Sequence, residues 1–126
     1  MTSPDSAPPA RLAVGLGMRP GLPADRILAA LAAALPDAHI ACLATLDRRA
    51  EEPGLCRAAA ALRVPLHGFP ADQLATVRVP NPSERVAAAL GIPGVAEAAA
   101  LLAGNGALIV PRRVVSGVVI AAAAVG

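Results

Sequence analysis

The chain has 126 residues, is 56% hydrophobic with Phe69 as its sole aromatic residue, and carries a formal net charge of +2. This length suits one domain, and the apolar content excludes disorder for most of the chain. The small charge argues against general nucleic-acid binding, and the absence of lysine excludes a Walker A loop and a Schiff-base enzyme.

The two ends of the chain indicate the cellular location of the protein. Residues 1–10 hold three prolines and an aspartate but neither the basic nor the apolar stretch of a signal peptide, which predicts a disordered lead-in to a domain over 11–126. The longest apolar run, Val118–Val125, is far shorter than the roughly 20 residues of a membrane helix. We therefore expect a cytoplasmic protein with no membrane partner, in which Cys42 and Cys56 are reduced.

The first half of the chain alternates short apolar runs with helical periodicity. Three strands are predicted, a buried one over Leu12–Leu16 and two more over Ile40–Thr45 and Val64–Phe69. One helix is predicted from Pro23 to Pro36 and another from Glu52 onward, because proline suits the first turn and the leucines that follow share one helical face. This β-α-β-α-β order predicts a parallel sheet covered by helices.

The second half has a different pattern. The predicted elements are a helical turn, an extended segment, two helices and two strands, at Asp72–Ala75, Thr76–Val79, Asn81–Leu90, Gly94–Gly104, Ala107–Val110 and Val118–Ala123. The last two are expected to pair antiparallel across a turn that contains Arg112 and Arg113. The whole chain therefore predicts a single-domain, three-layer α/β/α fold with a mixed, mainly parallel sheet and a C-terminal antiparallel strand pair.

A glycine-rich turn follows the first predicted strand. Its pattern is G-x-G-x-x-x-G at Gly15, Gly17 and Gly21, which departs from the dinucleotide-binding fingerprint. Glycines allow the backbone to approach a ligand, and the turn leads into a helix N-terminus, which favours anions. Two interpretations stay open: a ligand-binding loop that includes Arg19, or a tight strand-to-helix turn with a solvated arginine.

A charged cluster follows the second predicted strand. Asp47, Arg48 and Arg49 should lie at the same sheet edge as the glycine-rich turn, with Glu52 at the next helix start. This cluster is an anion or amide binder in one interpretation and a set of mutually paired surface charges in the other. Asp47 and Glu52 are also the candidates for an acid/base pair, although the sequence offers them no nucleophile.

Metal and cofactor chemistry find no support in the remaining residues. The soft ligands do not follow a zinc-binding spacing; they are His39, Cys42, Cys56 and His67. Glu97 lies early in a predicted helix, where interaction with the helix dipole suffices to explain it. We therefore predict no metal site and no cofactor.

Four segments in chain order resemble one known family. They are the glycine-rich turn Gly15–Gly21, then Leu43–Leu55, Val79–Val86 and Gly91–Leu102. Together they resemble the cobalamin biosynthesis family of CobE and the C-terminal domain of CbiG, a cobalt-precorrin-5A hydrolase. Two departures are visible: Met18 stands where the family commonly has cysteine, and arginine takes lysine positions at 49 and 112.

The resemblance implies an α/β domain of the corrin pathway that binds a precorrin or corrin intermediate as a carrier or accessory factor. Such tetrapyrroles are polycarboxylates, which arginine can bind in a bidentate manner. The ligand-binding candidates are Gly15, Gly17, Arg19, Gly21, Asp47, Arg48, Arg49, Glu52, Ser83, Glu97 and Arg112. Two alternatives stay open: a hydrolase that opens the ring lactone with Asp47 or Glu52 as general acid/base, and a non-catalytic docking module for other pathway enzymes.

Overall fold

The computed structural model describes residues 11–36, 38–77 and 95–125. Its strands are β1 Arg11–Gly17, β2 His39–Leu46, β3 Leu66–Phe69, β4 Asn105–Val115 and β5 Val118–Val125. Its helices are α1 Ala24–Ala34, α2 Asp47–Ala50, α3 Pro53–Leu62, α4 Ala71–Ala75 and α5 Val95–Gly104. Among these described helices, none is long and apolar enough to cross a membrane.

The strands form one mixed sheet in the order β3-β2-β1-β5-β4. β1, β2 and β3 run parallel, whereas β5 pairs antiparallel with β1 and with β4. Gly15, near the middle of β1, lies between Ala44 of β2 and Ala121 of β5. The predicted α/β class with a C-terminal antiparallel strand pair is thus confirmed. The pair adds to the sheet beside β1, with β5 next to β1 and β4 at the edge.

Helices cover both faces of the sheet. α1 and α3 pack on one face through Ile27 and Leu55, which meet Leu16 of β1 and Ile120 of β5 in the main apolar cluster. α4 and α5 pack on the other face, where Leu74 belongs to the second cluster. The two faces separate because successive strand side chains point to opposite sides of the sheet.

Helix α5 approaches the sheet closely because small residues line both surfaces. Ala96 and Ala100 of α5 lie over Gly15, and a Cβ added at Gly15 would overlap the Ala96 carbonyl oxygen and lie 2.7 Å from the Ala100 nitrogen. A Cβ at Gly104 would lie 3.2 Å from that of Ala13. The alanines and glycines therefore allow the backbone of α5 to pack directly against the backbone of the sheet.

The structure corrects the predicted C-terminal turn. Arg112 and Arg113 lie within β4, and the turn is the dipeptide Ser116–Gly117, with φ of 51° and 81°. Positive φ at both central residues is typical of the type I′ hairpin turn, for which glycine is well suited. β4 continues past Pro111 because it is an edge strand with three register shifts, and bulges at an edge accommodate a proline.

Smaller differences concern helix boundaries. The short helix α2 was not predicted, and Thr76 ends α4 with helical backbone angles instead of beginning an extended segment. Pro23 is the N-cap of α1, whereas Pro53 does begin α3. The predicted lead-in and the helix start that contains Ser83 lie outside the described residues.

The two cysteines differ in environment. Cys42 is buried in β2, and this burial raises the pKa of its thiol against the opposing effect of the nearby Arg11 guanidinium. Cys56 is exposed on α3, where its Sγ lies 3.2 Å from the Ala50 carbonyl oxygen. Both are free thiols, as predicted.

We expect a water-soluble disulfide reagent at pH 8 to modify Cys56 quickly and Cys42 only on unfolding. The thiolate is the reactive form, and burial both shields Cys42 and disfavours its ionisation. The measurement compares the rate at which the reagent modifies Cys42 in the native Cys56→Ser variant with the rate in the same variant unfolded in urea. Fast reaction of that variant in the native state would contradict the buried position of Cys42.

Candidate functional site

The candidate site lies at the edge of the sheet where β1 and β2 end. Because these neighbouring strands are parallel, the segment that follows each one emerges at the same edge. The β1–α1 loop, Met18–Pro23, follows β1, and α2 follows β2 directly. The structure therefore brings together two of the segments that the sequence singled out.

One hydrogen bond joins the two strands just before these segments, and two more join the segments themselves. The Thr45 hydroxyl donates to the Leu16 carbonyl oxygen at 2.8 Å, at the base of the β1–α1 loop. The Arg49 Nε–H donates to the Met18 carbonyl oxygen at 3.1 Å. The third bond has Glu52 Oε1 accepting the Gly21 N–H at 2.7 Å.

The exposed charged side chains at this edge include Arg19, Asp47 and Arg48. Arg19 projects from the β1–α1 loop, and Asp47 and Arg48 begin α2. Asp47 Oδ1 accepts the Arg48 N–H at 2.7 Å, which satisfies a donor at the start of that helix. The guanidinium groups of Arg19 and Arg48 are therefore presented to solvent on neighbouring segments.

A surface pocket of about 420 Å³ lies between the N-termini of α1 and α3, and residues of the β1–α1 loop form part of its wall. Its lining consists of Gly21, Leu22, Pro23, Ala24, Asp25, Glu52, Pro53, Gly54 and Arg57. A Cβ at Gly54 would overlap the Leu22 carbonyl oxygen, so glycine allows the two helix starts to meet. Converging helix N-termini favour an anion, and Asp25 and Glu52 oppose that preference at the rim.

Arg57 is a charged lining residue that sequence analysis did not single out. It follows Pro53 by one helical turn and is exposed on α3. Arg57 lies four residues after Pro53, and residues with this spacing share one face of a helix. The predicted helix start would therefore have placed Arg57 on the same face as Pro53. It adds another exposed guanidinium group to this edge of the sheet.

The three glycines of the sequence motif have different surroundings. Gly15 is buried within β1 under α5, so its missing side chain admits that helix. Gly17 ends β1 beside Val119. Gly21 has φ of 88° in the β1–α1 loop, a conformation that favours glycine.

Glu97 of α5 and Arg112 of β4 are brought together by the fold. Glu97 is fully buried on α5, and its Oε2 accepts the Arg112 backbone N–H at 3.1 Å. This N–H lies between Val110 and Arg113, where the β4 register shifts, so the carboxylate satisfies a donor in an irregular part of the strand. This contact gives Glu97 a structural role, and it involves the backbone of Arg112 and not its guanidinium group.

The candidate acid/base and metal-binding residues can also be located. Both carboxylates of the acid/base candidates accept backbone N–H groups, Asp47 from Arg48 and Glu52 from Gly21. Within residues 11–36, 38–77 and 95–125, no three potential metal ligands form a cluster.

The fold and this edge define an α/β/α domain with a hydrogen-bonded loop at the ends of its parallel strands. Residues 12–123 match the family described as Cobalamin synthesis G C-terminus. Protein CobE from a Sinorhizobium species is 41% identical over 115 residues, which cover 85% of this chain and 75% of that protein.

Two solved structures are similar as well. One is CobE, a protein from the cobalamin (vitamin B12) biosynthetic pathway, with a TM-score of 0.79, 32% identity, and coverage of 92% of this chain and 91% of that one. The other is the cobalamin biosynthesis protein chiG from Agrobacterium tumefaciens str. C58, with a TM-score of 0.69, 34% identity, and coverage of 89% and 96%.

The chain belongs to the cobalamin synthesis G C-terminus family. The resemblance seen in the four sequence segments is thereby confirmed, and the chain is a protein of cobalamin biosynthesis.

Proposed function

We propose that this chain binds a precorrin or corrin intermediate at the carboxyl edge of β1 and β2, as a carrier or accessory factor of the pathway. The observation that carries the proposal is the exposure of Arg19 and Arg48 on neighbouring segments beside a pocket that Arg57 lines. Guanidinium groups pair with carboxylates through two parallel hydrogen bonds, and the proposed ligands carry several carboxylates around one ring.

The size of the pocket decides how such a ligand would bind. A pocket of about 420 Å³ is at the small end of ligand sites and suits a peripheral acid side chain. The macrocycle would then lie across the β1–α1 loop, with its acid groups directed to Arg19, Arg48 and Arg57. A pre-formed loop favours this arrangement because less conformational entropy is lost on binding.

A visible-absorbance titration tests the proposal. The protein has neither tryptophan nor tyrosine, so the ligand's own absorption is the signal and intrinsic fluorescence is of little use. We expect a saturable spectral shift with a metal-free corrin that carries free carboxylates, and a weaker shift with the same ring carrying amides. Absence of a shift with both rings and with precorrin-type intermediates would contradict the proposal.

The same samples separate the two alternatives. A ring-lactone hydrolase would convert the bound intermediate, and Asp47→Asn or Glu52→Gln would abolish that conversion while leaving binding intact. A docking module would show no ligand shift and would instead co-purify with a pathway enzyme. A saturable shift with unchanged ligand, recovered intact after release, is the outcome expected for a carrier.

A further inference from the structure

The β1–α1 loop receives two side-chain hydrogen bonds from the segment that follows β2. The Arg49 Nε–H donates to Met18 near the start of the loop, and Glu52 Oε1 accepts the N–H of Gly21 near its end. Each bond joins residues 31 positions apart in the chain. Two main-chain groups of the loop are therefore held by charged side chains from a different β-α unit.

The two residues that contact this loop lie in and just after the short helix α2. Arg49 belongs to α2, and Glu52 is the N-cap of α3, two residues after α2 ends. Arg49 and Glu52 are thus directed toward the loop, whereas the neighbouring Arg48 and Glu51 are exposed.

The loop needs these contacts because its conformation is specific. Gly21 has a φ of 88° and lies in open space, so side-chain packing around a Cβ does not fix its orientation. A charge-assisted hydrogen bond to its N–H does fix that orientation. The bond also places Gly21 at the wall of the pocket between α1 and α3.

We propose that Arg49 and Glu52 are positioning residues that hold the β1–α1 loop in its binding conformation, and that Arg19 and Arg48 make the ligand contacts. This inference rests on the proposed function for its effect on affinity, but its structural part concerns the free protein. A loop released from either bond populates other conformations, and apparent affinity falls with the fraction that remains competent.

Amide hydrogen exchange of Gly21, measured by NMR on the free protein, tests the positioning role. We expect Glu52→Ala to speed this exchange about tenfold or more, because a hydrogen bond to a charged acceptor is lost. Glu52→Gln should stay close to wild type because its amide oxygen still accepts the N–H. Glu51→Ala is the matched control, since it removes the neighbouring exposed carboxylate and the same charge.

The two arginines provide a second, crossed comparison. Arg49→Ala should speed Gly21 exchange in the free protein and also weaken corrin binding about five- to tenfold. Arg48→Ala should weaken binding but leave Gly21 exchange at the wild-type rate. Equal behaviour of the two variants in both measurements would contradict the division of roles.

The outcomes distinguish this inference from the function on which it rests. Wild-type Gly21 exchange in Glu52→Ala would overturn the positioning role, whatever ligand the protein binds. Faster exchange together with no corrin binding by any variant would overturn the proposed function and leave the structural role supported. Faster exchange with unchanged affinity would show that the loop is held by Glu52 but does not contribute to binding.

Discussion

Gly15→Ala is expected to lower the free energy of unfolding by about 3 kcal/mol or more, the upper range for overpacking a tight core. The added methyl group would overlap the Ala96 carbonyl oxygen and lie 2.7 Å from the Ala100 nitrogen. Backbone atoms of a helix cannot move aside as a flexible side chain can, so α5 must shift from the sheet. Urea unfolding followed by far-UV circular dichroism measures this change.

Gly17→Ala is the matched control for that substitution. It adds the same methyl group two residues along the same strand, where the Val119 Cβ would lie 3.6 Å away, an ordinary contact. We expect its unfolding midpoint in urea to remain close to that of the wild type. Equal stability of the two variants would contradict the close approach of α5 to β1.

The double substitution Arg19→Ala/Arg48→Ala is expected to weaken binding of a carboxylate-bearing corrin about 100-fold. A charge-assisted contact contributes about 1.5 kcal/mol or more, or roughly tenfold in affinity, and the two contributions add if the sites are independent. Because both arginines are exposed, added salt should weaken wild-type binding more than binding by the variant. The visible-absorbance titration measures both effects.

Arg11→Ala provides the control for this prediction. Arg11 is exposed at the first residue of β1, at the opposite edge of the sheet, so its removal changes the charge without touching the candidate site. We expect this variant to bind the corrin with wild-type affinity. The circular dichroism spectra of this variant and of the double variant should match that of the wild type, which shows that both are folded. If Arg11→Ala weakened binding as much as the double variant, general charge attraction would explain the interaction and the site would lie elsewhere.

Much of the fold follows from local sequence patterns. Short apolar runs and leucine spacing predicted β1, β2 and β3 with the helices between them, because periodicity reports which face of an element is buried. Pro53 marked the start of α3 through its fixed φ and missing N–H. The hairpin turn was misplaced because basic residues within an edge strand resemble a loop, and the bulges that extend β4 past Pro111 depend on pairing with β5.

The candidate site was predictable in place but not in the roles of its residues. Parallel strands end at one edge, so the clustering of Arg19, Asp47 and Arg48 there could be expected. Their charge does not show which groups remain exposed and which contact the backbone. Arg49 and Glu52 have the same charges as their neighbours Arg48 and Glu51. Only the structure shows that Arg49 and Glu52 form hydrogen bonds with the β1–α1 loop.

The sequence by itself determined the class of fold, the family, and the sheet edge at which function is expected. It did so because helical and strand periodicity, proline positions and the four family segments are local properties of the chain. Only the tertiary structure decided that Gly15 receives α5, that Glu97 binds the β4 backbone, and that Arg49 and Glu52 hold the loop. These contacts join residues far apart in the chain, and their geometry exists only after the sheet and its helices have packed.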